Sequence, residues 1–196
     1  MASRLPAARR RRQLLDVALR VFADQGFYVT SMSDIADAAG VTKPVLYQHF
    51  TSKRDLYAEL LRDVGNQLQE AITKAVAAAT TGREMVENGF AAYFDYVADH
   101  RDAFSIFYTS GSWSDDEFSK LVHDVENSIA QQIAGLIEIE GLTAEQRQLL
   151  AHGIVGMVEG ASTHWLETQA NSDPRKLATQ LADLAWRGLR GVHPRD

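Results

Sequence analysis

Residues 31–50, SMSDIADAAGVTKPVLYQHF, decide the fold. They read as two short helices, about Met32 to Ala39 and about Lys43 to Phe50, joined by a tight turn at Gly40-Val41-Thr42. Ser31 or Ser33 caps the first, and Asp34 in its first turn favours the helix dipole. Ile35, Ala36, Ala39, Val41, Leu46 and Phe50 form the inward set. The small alanines let the two helices approach closely, and Gly40 supplies the left-handed conformation the turn needs. Leu46 and Phe50, four apart, anchor the second helix. The opposite side is then Thr42, Lys43, Pro44, Val45, Tyr47, Gln48 and His49. These types suit a DNA major groove. Lys43 bonds guanine or phosphate, Gln48 pairs with adenine, Pro44 and Val45 meet a thymine methyl, and Thr42, Tyr47 and His49 donate to phosphate. Lys53 reaches the backbone just beyond.

Working outward, the pattern stays helical and the predicted class is all-α, with nine helices and no strands. A first helix runs from about Ala8 to Gln25, with Leu14, Ala18, Val21 and Phe22 on one face, and Gly26 ends it. Arg9 to Arg12 stand at its start, either as an arm touching phosphate or the minor groove or as a solvated charge run. Ser52 and Asp55 resemble a capping box opening a long helix to about Ala79, broken only by a tolerable Gly65. Further helices end near Asp99, cover Asp102 to Tyr108, run from about Ser114 to Ile139, follow a Thr143 cap to about Thr168, and start at Pro174. Thr109 to Ser112 and Asn171 to Asp173 read as loops.

Segment 9–55 resembles the DNA-binding head of the tetracycline-repressor (TetR) family. The matching residues are Phe22, Gly26 and Phe27, then Ile35-Ala36 with Ala39-Gly40-Val41, and Leu46-Tyr47-Gln48-His49-Phe50. The resemblance implies a head over 1–55, an effector-binding and dimerisation domain over 56–196, and DNA contacts at Thr42, Lys43, Pro44, Val45, Tyr47, Gln48, His49 and Lys53. It also implies a homodimer on a palindromic operator, since two recognition helices about 34 Å apart read one turn of duplex. Residues 43–50, 93–96 and 153–157, with Trp165-Leu166, are similar to the FasR-type regulators of fatty-acid synthesis. That resemblance implies a long-chain acyl-CoA effector.

The remainder supplies candidates for an apolar effector pocket: Phe90, Phe94, Phe104, Phe107, Tyr108, Trp113, Phe118, Val122, Met157, Ala161 and Trp165. Taken singly, each is more readily explained as core. Gly153, Gly156, Gly160 and Ala161 permit close helix approach, and Leu177, Leu181, Leu184, Ala185, Trp186 and Leu189 give the last helix an apolar face. In this family such helices form a four-helix dimer bundle. The long fourth helix is then the lever between effector and head.

Composition narrows the alternatives. The 196 residues are 45% hydrophobic and contain no cysteine, which excludes disulfides, thiolate metal sites and cysteine nucleophiles. Residues 1–55 hold nine Lys and Arg against five Asp and Glu, while the chain as a whole carries −6. A basic head on an acidic body suits a polyanion partner. No apolar run is long enough to span a bilayer, and a cytoplasmic protein is expected. Gly-x-Ser-x-Gly, His-Glu-x-x-His and Walker signatures are absent, and His152 and His164 lie about 18 Å apart along one helix, too far for one metal. Neither an enzyme nor a cofactor is expected.

Overall fold

Helix ends fall where capping chemistry puts them. In a computed structural model, which describes residues 6–108, 115–168 and 172–193, nine α-helices and no strand occur among the described residues. They are α1 (Ala7–Gln25), α2 (Met32–Ala38), α3 (Lys43–Tyr47), α4 (Lys53–Ala77) and α5 (Gly82–Asp99). There follow α6 (Arg101–Tyr108), α7 (Asp116–Leu136), α8 (Ala144–Thr168) and α9 (Pro174–Arg190). Ser31, not Ser33, caps α2: its hydroxyl accepts from Asp34 N while Asp34 accepts from Ser31 N. Those bonds hold the Asp34 carboxyl below its ordinary range. At α4, Ser52 accepts from Asp55 N, and Asp55 in return accepts from the Thr51 amide and hydroxyl. Thr143 and Gln146 form a reciprocal box at α8. Asp173 caps α9 ahead of Pro174. The predicted loop Thr109–Ser112, Trp113, and Asn171 lie outside the described residues.

Two compact units divide the chain: Met1–Val64 with Arg101–Val122, and Gly65–His100 with His123–Asp196. The boundary expected at residue 55 lies inside α4, and the first unit runs on to Val64 and takes in residues 101–122 as well. An aromatic cluster accounts for this. Tyr57 and Phe118 rings lie 4.7 Å apart, Phe27 sits 4.9 Å from each, and Phe22 meets Tyr57 edge-on at 5.0 Å. Tyr57 also donates its hydroxyl to the Ile106 carbonyl at 3.0 Å, which ties α6 to α4. At the rim, Arg54 bonds both Asp115 oxygens at 2.7 and 2.9 Å and Glu117 at 2.7 Å, with its guanidinium over Phe118. The Arg54 bonds, above all, hold the Asp115 carboxyl below its ordinary range.

Of Arg9 to Arg12, two are held against the body of the first unit. They lie within α1, where Arg11 pairs with Glu59 and Arg12 bonds Asp63 at 2.7 Å and Asp16 at 2.9 Å. Two of the four thus staple α1 to α4.

In the second unit, α5 and α9 make the most extensive helix pairing among the described residues. Small residues permit it: Ala178, Ala182 and Ala185 are buried on α9, and Trp186 covers Gly82 at the start of α5. Gly65 is more than tolerated. A Cβ there would lie 2.5 Å from Val125 Cγ2, so the approach of α4 to α7 requires a glycine.

Between α7 and α8, Glu159 is half-buried near Glu126 and His123. Burial first, and the Glu126 carboxylate second, raise its pKa from 4.5. The folded state thus holds this proton more tightly than the unfolded chain, and ionised Glu159 opposes folding above its raised pKa. Glu159→Gln is expected to unfold at a higher temperature than the wild type at pH 7. The gap should close as pH falls through that pKa, and thermal unfolding followed across pH checks it; a gap that persists below 4.5 contradicts it.

Candidate nucleic-acid interface

The turn between α2 and α3 is built as the sequence requires. Gly40 takes φ +64°, in the left-handed region, and Val41 N bonds back to the Ala36 carbonyl at 3.0 Å. Ile35, Ala36 and Leu46 are fully or almost fully buried, and Phe50 is 1% exposed. Pro44 lies in the first turn of α3, where its missing N–H costs nothing. The helix is shorter than expected. It ends at Tyr47, and residues 48–49 continue as a turn in which Phe50 N bonds the Leu46 carbonyl at 3.1 Å. Ending the helix there still drives Phe50 into the core, where Arg11 covers its ring at 4.7 Å.

Anchoring Leu46 and Phe50 leaves the other side open. Thr42, Lys43, Pro44, Tyr47 and Gln48 are exposed, and Val45 and His49 are half-buried at the edges. Tyr47 exposes 45% of its surface although it is a large aromatic residue inside a helix. A helical face with one cation, an amide, two hydroxyls and apolar Pro44 has the chemistry of base-edge and phosphate recognition.

Lys53 behaves differently. Its Nζ donates to the carbonyls of Phe27 at 2.7 Å, Thr30 at 2.7 Å and Tyr28 at 3.3 Å, and lies over the Phe27 ring. Those three acceptors match the three protons of an ammonium. No local pattern signals this, because the partners lie more than twenty residues away.

The candidate effector residues divide between the units. In the first, Phe104 and Phe107 are buried on α6, and Tyr108 stacks on Phe104 at 4.3 Å. Phe118 and Val122 are fully buried, and Phe118 has its faces against Phe27, Tyr57 and Arg54, so it serves the core of the head. In the second, Phe90, Phe94 and Trp165 are buried and Met157 and Ala161 half-buried. Phe94 meets Trp165 edge-on at 6.4 Å, and the indole N–H donates to Ser172 at 2.9 Å. Beside them, buried Ser162 bonds the Val158 carbonyl and the Tyr93 hydroxyl. Trp113 lies outside the described residues. An open pocket of about 440 Å³ at the α7–α8 turn, lined by Ala134, Ile137, Ile139 and Arg147 among others, shares no residue with this set.

Among the described residues no helix is long and apolar enough to cross a membrane, and no group of three or more His, Asp or Glu side chains is placed to hold a metal. On α8, a Cβ built at Gly153, Gly156 or Gly160 meets nothing within 4 Å among the described residues, while Leu149 and, on α9, Leu184 are exposed.

Comparison with known proteins agrees with this geometry. Residues 14–60 match the family described as bacterial regulatory proteins, tetR family, and residues 83–188 match a tetracyclin repressor-like C-terminal domain. The chain is 30% identical over 191 residues to the transcriptional activator FasR of Mycolicibacterium smegmatis, covering 97% of this chain and 87% of that relative. A TetR-like regulator from Rhodococcus sp. RHA1 superposes with a TM-score of 0.79 at 31% identity, over 96% of this chain and 100% of that one. FadR of Bacillus subtilis, solved in complex with stearoyl-CoA, has the same fold, with a TM-score of 0.78 at 20% identity, over 93% and 99% of the two chains. The chain belongs to the TetR family of bacterial regulatory proteins: it is a helix-turn-helix transcriptional regulator, not an enzyme.

Proposed function

We propose that this regulator binds palindromic DNA as a homodimer through residues 42–49 of each copy, and that an effector with a long apolar part modulates that affinity. The observation that carries the DNA reading is the open face of Thr42, Lys43, Pro44, Tyr47 and Gln48 behind buried Leu46 and Phe50. Dimerisation is supported by α8 and α9, where a Cβ at any of three glycines would meet nothing among the described residues and Leu149 and Leu184 are exposed. The partner is a second copy, and the two-fold axis makes the operator a palindrome. The protein acts in the cytoplasm, where its operator is.

For the effector, Phe90, Phe94 and Trp165 with Met157 and Ala161 offer an aromatic and adaptable wall in the second unit. Similarity to FasR over nearly the whole chain, and a shared fold with a FadR that binds stearoyl-CoA, support a long-chain acyl-CoA. Titrating operator binding with acyl-CoA thioesters of increasing chain length tests this. Affinity is expected to change by about 5–150-fold with long chains and not with acetyl-CoA. An affinity indifferent to every chain length, in a protein that binds DNA normally, marks a constitutive regulator.

A further inference from the structure

Lys53 opens α4 with its ammonium folded back under the loop between α1 and α2. The carbonyls of Phe27, Tyr28 and Thr30 take its three protons, and partial burial lowers its pKa. Phe27 is itself buried against Phe22, Tyr57 and Phe118, so the loop is held from both sides. Between the held carbonyls, Tyr28 is 62% exposed and Val29 78%. Two adjacent large side chains at that exposure, on a backbone fixed at three points, form a rigid apolar tip. The tip runs directly into Ser31, the cap of α2. In a helix-turn-helix the first helix crosses the DNA backbone while the second enters the groove. The residues just ahead of α2 therefore border the DNA-binding face.

The geometry points to Lys53 as a positioning residue, not a phosphate contact: it presents Tyr28 and Val29 to the sugar–phosphate backbone of the operator. The inference rests on the DNA reading above. The Tyr28 hydroxyl donates to a phosphate oxygen, and its ring and Val29 pack on deoxyribose. Such contacts fix register without reading sequence. Because the phenol is neutral, they add little to the release of counterions, whereas a lysine on a phosphate adds about one unit of salt dependence.

The test uses the duplex that the wild-type protein enriches from a randomised pool. Its affinity is measured against salt for the wild type, Tyr28→Ala, Val29→Ala, Lys53→Met and the Lys53→Met/Tyr28→Ala pair, with thermal unfolding of each. Tyr28→Ala is expected to weaken binding about tenfold with an unchanged salt slope. Lys53→Met should weaken it comparably, also without a change of slope, and the pair should lose little more than either alone. A slope reduced by about one unit per chain in Lys53→Met, with losses that add, makes Lys53 a phosphate contact and overturns the inference. Unchanged binding by both loop variants overturns it as well, and because those two positions are on the surface they decide the matter even if Lys53→Met does not fold. Failure of the wild type to enrich any duplex sinks this inference and the DNA reading together, whereas normal enrichment with indifferent loop variants sinks this one alone.

Discussion

Phe118→Ala is expected to destabilise the head by about 3–5 kcal/mol and to weaken DNA binding with no effector present. The ring is fully buried, lies 4.7 Å from Tyr57 and 4.9 Å from Phe27, and carries the Arg54 guanidinium on its outer face. Removing it opens a cavity under α4 and leaves the Arg54–Asp115 pair without its floor. Tyr57 would lose a ring contact while its hydroxyl still holds Ile106. Against a typical domain stability of about 5–15 kcal/mol, that loss removes a large share of the head's folding free energy and lowers its unfolding midpoint markedly. Denaturant unfolding measures it. A variant of ordinary stability whose only defect is effector response would instead make Phe118 a wall of the effector site.

Lys43→Ala and Tyr47→Ala, by contrast, are expected to leave stability nearly unchanged, since both residues are exposed. Each should cost operator binding about 1–3 kcal/mol per lost contact, and a homodimer on a palindrome would lose every contact twice. The double variant should then fall towards the affinity of non-specific duplex, a difference of about 4–10 kcal/mol in specific binders. Lys43→Ala should also flatten the salt dependence if its ammonium meets phosphate, whereas Tyr47→Ala should not. Operator and non-operator duplexes compared in one salt series separate these effects.

How much of this was legible in the sequence follows the range of the interactions. Ser31 with Asp34, Thr143 with Gln146, and Asp173 before Pro174 are bonds between near neighbours, and their positions set the helix starts. The exposed face of α3 was legible for the same reason, because Leu46 and Phe50 fix which side is buried. The end of α3 was less so, as both a helix and a turn carry Phe50 inward. What stayed hidden depends on partners far along the chain. The pairing of Arg11 with Glu59 and of Arg12 with Asp63, and the carbonyls of Phe27, Tyr28 and Thr30 around the Lys53 ammonium, join residues too far apart in the chain for a local pattern to announce. Phe118 reads as one more aromatic in a pocket-like stripe, and only the fold shows it joining residues 101–122 to the head. Periodicity places a side chain on a helix face, but it does not say which distant element covers that face.

The central claim is that the open side of α3 enters the major groove. Methylation of guanine N7 reports that groove alone. On the duplex selected by the wild type, protection is expected at guanines in two successive major grooves one helical turn apart, and it should vanish in the Lys43→Ala/Tyr47→Ala protein while that protein remains folded. Protection that survives both substitutions, or binding that leaves every N7 open to methylation, contradicts the account.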